Sequence, residues 1–465
     1  MASCRGGGFI FALAAAAAAG CRQEFVADAA ATLRFSSDTI RFDTIFSPLG
    51  STTFSCKVYN PGSKNLLFDE VRLRGESASP FRMNVDGRAG YSVGNVKLAK
   101  KDSLFIFLEV KKNQALLLTD AVVFVVNGAE LPGRLEVVAY GQEAVVFDGD
   151  TLLRSRYTFT ADKPYLLNGM VVVDSAAVVE VAPGAKLYFG AKAGIDVSGA
   201  LEVAGAPENP CILSFPRYND PWYSDATGQW SGVSIAATGR ANVRCAKIRG
   251  ARCAFAVSDT LNTATGVQLT LEKSTVAFAE IGVRISSGAV NANSCLFASH
   301  LSNAALVEGG RCSFYHCTFA SSAPVALQSY RLRKKERQNN SYDTIPAPLD
   351  AYFANSIIHG KSANALSVRE QKHPTANMRL TLEQCLVKLD NSYDLSNGER
   401  YAGIITQDPM FKNAAKNDFH LSEKSPAINA GLDSIAAMFP IDADGYDRRI
   451  SHDKSLGCYA YRPQK

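Results

Sequence analysis

A four-residue pattern of polar and apolar positions recurs through the second half of the chain. Each copy has a polar residue or Cys, then a small residue, any residue and a bulky apolar residue. The small residues lie 28, 21, 22, 39 and 29 positions apart, at Ala246, Ser274, Cys295, Cys317, Ser356 and Cys385. Repeats of this length are single supersecondary units that bury their apolar side only by stacking on neighbours. The pattern therefore predicts a parallel β-solenoid, with small side chains in one interior column and Ile, Val and Phe in the next.

Short alternating segments fill residues 33–145. Apolar and polar positions alternate over 54–58 and 71–73, and turn pairs such as Asn127-Gly128 separate such segments. Many short strands without a helix-length periodic stretch predict a β-sandwich of about a hundred residues. The pieces 58–62 and 68–75 resemble bacterial immunoglobulin-like domains, and the resemblance implies that fold for this region.

A second resemblance concerns the start of the predicted solenoid. Residues 171–203 hold apolar strands around the turn Pro183-Gly184, and Trp230-Ser-Gly232 follows. This order is similar to the first rungs of right-handed parallel β-helix proteins. The resemblance implies a β-helix over 146–406, in which Trp230 is packed rather than exposed.

The C-terminal segment, residues 407–465, carries the most specific motifs, at 408–411, 425–431, 442–445 and 457–459. These motifs are similar to the ending of the secreted β-helix family with variable anchoring. The resemblance implies a terminal cap, in which Phe411, Leu421 and Ile428 cover the last coil. The predicted fold class is thus all-β: an N-terminal β-sandwich followed by a right-handed parallel β-helix (solenoid) with a C-terminal cap.

Residues 1–20 are typical of a signal peptide, since Arg5 precedes the 11-residue apolar stretch Phe9–Ala19. Ala18-Ala-Gly-Cys21 resembles the lipobox of bacterial lipoproteins, which implies lipidation of Cys21, with residues 21–32 as the lipidated Cys and its tether. The implied partner is a membrane, through the lipid anchor, at the outer membrane or cell surface of a Gram-negative bacterium. The alternative is an ordinary secretory signal that is cut near the same place.

Composition narrows the classes of partner and cofactor. The 49 basic and 44 acidic residues give a net charge of +5, too small for the strongly basic face typical of nucleic acid binding. No Cys or His spacing matches a zinc site, so no metal or other cofactor is expected, with Ca²⁺ left open. Of the eleven cysteines, Cys4 would leave with the signal and Cys21 would be lipidated. The odd number that remains, four of them in the recurring pattern, favours packing over disulfides.

Residues 330–350 interrupt the repeat and account for its longest spacing. Basic residues cluster there without apolar alternation, at Arg331, Arg333, Lys334, Lys335 and Arg337. We expect an inserted surface loop. Its basic run has two interpretations: a site for an anionic glycan or lipopolysaccharide, or a solvated hairpin beside an acidic neighbour, which is the commoner role of such a run.

Acidic residues are scarce in the predicted coils. Between Asp225 and Glu336 there are four, at Asp259, Glu272, Glu280 and Glu308. This scarcity counts against the paired carboxylates of a hydrolase and against a Ca²⁺ site built from several acids. A lyase that works without calcium uses His or Tyr with Arg, and the candidates for those roles are Arg284, Tyr315 and His316.

An aromatic loop offers a different chemistry. Aromatic faces stack on sugar rings, and residues 215–225 supply Tyr218, Trp222 and Tyr223 as candidate glycan contacts. The sequence therefore favours an exported, lipid-anchored protein with a non-catalytic surface adhesion or glycan-binding role. The alternative is a polysaccharide-cleaving enzyme of the β-helix type, a lyase rather than a hydrolase. The oligomeric state stays open.

Overall fold

The computed structural model describes residues 24–46, 53–111, 117–218, 223–259, 266–334, 342–390 and 393–463. The predicted signal segment 1–20, Cys21 and Trp222 lie outside these ranges. The chain divides into two compact units between Gln142 and Glu143. No helix in the described ranges is long and apolar enough to cross a lipid bilayer.

The first unit is a β-sandwich. Alternation puts Phe81, Met83 and Val85 into the core while Arg82 between them is exposed. One sheet has five strands in the order Arg34–Phe35, Phe54–Tyr59, Ser103–Val110, Phe81–Val85 and Arg88–Ala89. The other has six, in the order Thr39–Phe46, Leu135–Gln142, Leu117–Val126, Leu66–Leu73 and Ser92–Leu98, with Ala129–Glu130 paired to Leu117–Val126. A short 3₁₀ helix spans Glu76–Ala78.

The second unit is a parallel β-helix, so the predicted fold class is confirmed. Each coil passes in turn through three sheets, here numbered 1 to 3. The strands of sheet 1 are Val145–Phe147, Tyr165–Leu167, Lys186–Phe189, Cys211–Ser214, Ala246–Arg249, Thr275–Ala277, Leu296–Ala298, Thr318–Ser321, Ile357–Gly360 and Leu386–Val387. Those of sheet 2 are Thr151–Leu153, Met170–Val173, Gly194–Val197, Trp230–Ile235, Ala251–Ser258, Ile281–Ser286, Asn303–Glu308, Val325–Gln328 and Leu366–Arg369. Those of sheet 3 are Tyr157–Phe159, Val178–Val181, Ala200–Ala204, Arg240–Arg244, Leu269–Glu272, Ala289–Asn293, Gly310–Tyr315, Leu349–Ala354, Met378–Glu383 and Tyr401–Ala402.

The recurring sequence pattern marks the corner at which six coils, from the strand Arg240–Arg244 onward, leave sheet 3 and enter sheet 1. The residue before each small residue has a left-handed backbone, with φ between 46° and 50°, at Cys245, Lys273, Ser294, His316, Asn355 and Gln384. The bend turns the small side chain inward, and all six small residues are buried, as predicted. The hydroxyl or thiol then donates to the carbonyl two residues earlier, as from Ser356 Oγ to Ala354 O at 2.9 Å and from Cys295 Sγ to Asn293 O at 3.2 Å. Ser and Cys therefore fit this position because they are small and satisfy a backbone acceptor at the bend.

The cysteines act as small apolar residues. All nine cysteines in the described ranges are free, and all but Cys253 are buried. Burial holds the pKa of the Cys317 thiol well above its ordinary value and raises that of Cys385 to about 12. A protonated thiol is a poor nucleophile. These positions are therefore packing positions, as the sequence indicated.

The C-terminal segment covers the last coil, as predicted, and also extends beyond it. Phe411, Leu421 and Ile428 belong to one apolar cluster with Leu386 of the last sheet 1 strand. Residues 407–463 run along the outer face of sheet 1 and cross several coils. Cys458 N donates to Thr318 Oγ1 at 2.9 Å, and Ser294 Oγ donates to Ile441 O at 3.0 Å. Leu421 packs with Ile357 and other sheet 1 residues. The end of the solenoid interior is covered by the residues that follow the last sheet 1 strand, namely Leu389, Tyr393, Tyr401 and Ile404.

Short elements build this segment. Strands Phe411–Asn413 and Asp418–Leu421 pair antiparallel, a helix spans Asp433–Met438, and 3₁₀ turns span Ala414–Lys416 and Arg448–Ile450. The turn at Asp444-Gly445 is held by Asp442, which is buried. Its Oδ1 accepts from Tyr446 N at 2.7 Å and its Oδ2 from Ala460 N at 2.9 Å.

We expect the interior column to tolerate small polar changes and the aromatic stack beside it to be sensitive. Phe297 is fully buried and stacks on Phe319 with ring centroids 4.7 Å apart. Phe297→Ala should therefore lower the free energy of unfolding by about 3–5 kcal/mol. Cys295→Ser keeps a donor for Asn293 O and should cost much less. Urea unfolding of both variants beside the wild type checks this, and equal small losses would contradict it.

His420 ties two parts of the C-terminal segment together. Its Nδ1 is 2.6 Å from Asp418 Oδ1, its Nε2 is 3.0 Å from Asp444 Oδ2, and its ring stacks on Tyr459 with centroids 4.0 Å apart. Both ring nitrogens donate only in the imidazolium form. The bond to Asp444 is the main reason that the pKa of His420 lies above its ordinary 6.5, and the bond from His420 lowers the pKa of Asp444 below 3.8.

These shifts predict a pH dependence of stability with a defined sign. Because the pKa of His420 is higher in the folded state, the His420 imidazolium stabilises the fold fully below pH 6.5. This stabilisation is lost as the pH rises through the raised folded-state pKa. The thermal midpoint of wild type should therefore exceed that of His420→Gln at about pH 5, and the gap should narrow by about pH 9. Exposed His373, which bonds Thr375, supplies the control His373→Gln. A gap that is constant with pH would show that the imidazolium adds nothing.

Candidate functional site

A cleft forms where sheet 2 passes into sheet 3, because the turns at this corner differ in length. Two neighbouring coils turn within very few residues, at Ser287-Gly288 and at Gly309. The connections on either side are longer, at 259–268, 329–348 and 370–377. At the short turns lies a depression of about 460 Å³, which is lined also by Asp259, Gln268, Pro348 and Asn377 of the longer connections. The 329–348 connection contains the antiparallel hairpin of Tyr330–Lys334 and Tyr342–Pro346, in which Arg333 faces Asp343 at 3.8 Å.

Glycine is required on the floor of this cleft. Gly310 has φ of +93°, and a Cβ there would lie 2.2 Å from Gly288 O. A Cβ on Gly288 would lie 2.6 Å from Val257 Cγ1. Glycine at 310 therefore allows the two turns to approach this closely, since a side chain there would collide with the backbone of the neighbouring turn.

Charged side chains line the side of the cleft that belongs to sheet 3. Arg311, Asp350 and Arg379 occupy one outward-facing position on three successive strands, about 4.8 Å apart. Arg379 clamps Asp350 with Nε to Oδ1 at 2.9 Å and Nη2 to Oδ2 at 2.5 Å. Arg311 is exposed, and no hydrogen bond or ion pair of its side chain is found within the described ranges.

The opposite wall is rigid. Gln268 is buried, its Nε2 donates to Ala236 O at 2.9 Å, and its Oε1 accepts from Ala289 N at 3.1 Å. Asp259 is also buried and already interacts within the protein. This wall is held by its own hydrogen bonds and does not depend on a ligand for its shape.

A column of hydrogen-bonding side chains adjoins the cleft on the outer face of sheet 3. The strands place one such residue in each coil, at Thr158, Glu180, Glu202, Asn242, Thr270, Asn291, Ser313, Tyr352 and Thr381. Thr270, Asn291 and Ser313 lie on the coils that form the cleft. All three are partly exposed, so this face presents hydroxyl and amide groups next to Arg311, Asp350 and Arg379.

The structure does not bring the three predicted catalytic residues together. Arg284 lies on the outer face of sheet 2, where its Nη2 is 2.7 Å from the buried carboxylate of Glu308. Tyr315 lies at the end of a sheet 3 strand and packs on Phe439 of the C-terminal segment, with ring centroids 4.7 Å apart. Its neighbour Tyr352 donates to Glu383.

His316 is fully buried beneath the C-terminal segment. Its Nε2 lies 3.1 Å from Asn355 Nδ2, and burial, with the nearby Arg448 guanidinium, holds its pKa well below the ordinary 6.5. An imidazole in this position is neutral and does not reach a polysaccharide on the surface. His316 is instead the left-handed residue at the bend from sheet 3 into sheet 1.

The aromatic candidates lie at another corner, between sheets 1 and 2. Tyr218 is partly buried and stacks on Tyr188 with centroids 5.9 Å apart. Tyr223 is 37% exposed, with the Arg217 guanidinium 5.5 Å from its ring centroid, and Trp222 lies outside the described residues. Trp230 is buried, as expected, and stacks on Phe189 at 4.2 Å. Neither of the two described candidates, Tyr218 and Tyr223, lines the cleft.

Metal coordination finds no support in the described part of the chain. No group of three or more His, Cys, Asp or Glu side chains there is arranged to hold a metal ion. Two acidic residues line the cleft. Asp259 is buried, and Asp350 accepts a hydrogen bond from Arg379.

The cleft residues were missed by the sequence reasoning. Arg311 and Asp350 are 39 positions apart in sequence because the hairpin insertion separates them, although they are direct neighbours in the sheet. The available signal was the pair of turn glycines, Gly288 and Gly310, which are one coil apart. Successive short turns beside long ones predict a depression at that corner.

Comparisons with known proteins identify no family. No protein-family model matches the sequence, and no curated protein is similar to it. Solved structures do match, among them the complex of XylC with xylose, at 8% sequence identity and a TM-score of 0.36, over 91% of this chain and 87% of that chain. At that TM-score the similarity carries no argument about function, and the fold assignment stands on the three parallel sheets of the chain itself.

Proposed function

We propose that the β-helix unit binds polysaccharide in the cleft between sheets 2 and 3, without cleaving it. The observation that carries this proposal is the cleft itself: closely packed glycine turns at its floor, and polar and charged groups around them. Thr270, Asn291 and Ser313 extend its polar surface by one side chain per coil. A linear polymer rich in hydroxyl groups fits such a repeating set of donors and acceptors.

The same geometry favours binding over cleavage. General acid–base chemistry requires a group that reaches the sugar and is free to exchange a proton. Asp350 is held by two hydrogen bonds from Arg379, and Asp259 is buried. Arg284, Tyr315 and His316 lie away from the cleft, and each is engaged with protein groups.

We expect a bulky side chain on the cleft wall to block binding. Asn377 is exposed and lines the cleft, so Asn377→Trp should weaken polysaccharide binding at least about tenfold, which corresponds to about 1.4 kcal/mol. The control is Ser175→Trp, because Ser175 is exposed at the same type of corner on a distant coil. Binding is measured on a panel of acidic and neutral polysaccharides, with and without Ca²⁺.

Two results of that experiment would overturn the proposal. Equal weakening by both Trp variants, or by neither, would place the binding surface elsewhere. Release of unsaturated or reducing ends that is lost in Arg284→Gln, Tyr315→Phe or His316→Gln would instead support the lyase alternative.

We further propose that the mature chain is attached to a membrane through Cys21, at the outer membrane or cell surface, with an immunoglobulin-like sandwich next to the tether. Support comes from Ala18-Ala-Gly-Cys21 after the apolar stretch Phe9–Ala19. A site that binds polysaccharide at the cell surface would give the protein an adhesive or glycan-capturing role.

The anchor is tested by metabolic labelling with a fatty-acid probe. Wild type should be labelled, and Cys21→Ser should not, because that change removes the thiol that carries the lipid. Cys4→Ser is the matched control and should stay labelled, since residues 1–20 are removed in this scheme. An unlabelled wild type with a mature N-terminus elsewhere would indicate the ordinary secretory signal.

A further inference from the structure

We infer that the cleft selects polysaccharides that carry anionic groups, carboxylate or sulfate, and that Arg311 is the residue that recognises them. This inference rests on the proposed function and adds the ligand class. It follows from the balance of charges at the cleft rather than from the net charge of the chain.

The cleft lining contains two carboxylates and two guanidinium groups, which differ in exposure and pairing. Asp350 and Arg379 form a bidentate pair, and the Asp259 carboxylate is buried. Arg311 is an exposed guanidinium for which the described ranges contain no ion-pair partner. Among the described lining residues, the exposed and unpaired charge is therefore the positive charge of Arg311.

The backbone holds Arg311 in place without using its side chain. Its backbone N donates to Gly288 O at 2.8 Å, and Gly310 N donates to Pro348 O at 2.8 Å. The guanidinium thus extends from a fixed point at the edge of the glycine floor. A planar guanidinium with parallel N–H groups matches the geometry of carboxylate and sulfate oxygens, and it stays charged at any pH the protein meets.

Asp350 and Ser313, the neighbours of Arg311, add to the selection of acidic sugar units. The carboxylate of Asp350, one strand away, is paired with Arg379 through two hydrogen bonds and makes none to Arg311. Ser313 lies two residues after Arg311 on the same face of the same strand. An acidic sugar unit would meet a cation for its charge and a hydroxyl for its ring substituents, whereas a neutral unit would meet only the hydroxyl.

The test uses two pairs of polymers, each with a charged member and an uncharged member on the same sugar backbone. Polygalacturonate is compared with its fully methyl-esterified form, and dextran sulfate with dextran, which separates carboxylate from sulfate recognition. We expect wild type to bind at least one anionic member at least about tenfold more tightly than its neutral partner. Arg311→Gln should lower the affinity for that anionic polymer to the level of the neutral one, and Arg311→Lys should recover part of the loss because it restores the charge.

Arg240→Gln is the matched control. Arg240 occupies the equivalent outward position of sheet 3, three coils before Arg311, and is also exposed. It should leave both affinities unchanged, while equal losses in Arg240→Gln and Arg311→Gln would mean non-specific attraction and overturn the inference.

The remaining outcomes separate the two proposals. Equal affinity for charged and neutral partners, unaffected by Arg311→Gln, would overturn the anionic selection and leave polysaccharide binding intact. Absence of binding to all four polymers by wild type, with circular dichroism showing folded protein, would count against both.

Discussion

The register between successive coils is the constraint on which the rest of this structure depends. Every coil must present its backbone donors and acceptors to the next at the same three places, since an unpaired buried group is costly. The bend from sheet 3 into sheet 1 maintains that register. A left-handed residue followed by a small Ser, Cys or Ala recurs there, and Ser and Cys bond the carbonyl two residues back. With this corner fixed, length variation is displaced to the other corners, and the cleft arises from it.

The sequence correctly predicted the features that depend on the pattern of neighbouring residues. The inward position of Cys295 and Ser356, the packing of Trp230 and the alternating strands of the sandwich all follow from residue size and periodicity. The fold class follows from their repetition. These features need only the pattern of neighbouring residues, which the sequence displays directly.

Prediction was incomplete where distant segments meet. Apolar positions such as Leu421 indicate that the C-terminal segment packs on another part of the protein. The surface on which it packs is formed by outward-facing residues of sheet 1, such as Leu296 and Ile357. In the sequence these residues look like ordinary strand residues. The same holds for the cleft, because Arg311 and Asp350 become neighbours only after an inserted hairpin is looped out. His316 suggested chemistry because its burial by the C-terminal segment is not visible in the sequence.

The placement of the C-terminal segment changes how the solenoid would come apart. In a simple repeat array each unit couples only to its neighbours, so ends fray and the middle unfolds in steps. Here a single strap bonds neighbouring coils through Ser294 and Thr318, and its Gly445 lies against Pro207, three coils before Ser294. Opening one coil beneath it disturbs contacts with others. The strap thereby couples coils that would otherwise interact only with their nearest neighbours. The solenoid therefore resists partial opening and unfolds as one unit.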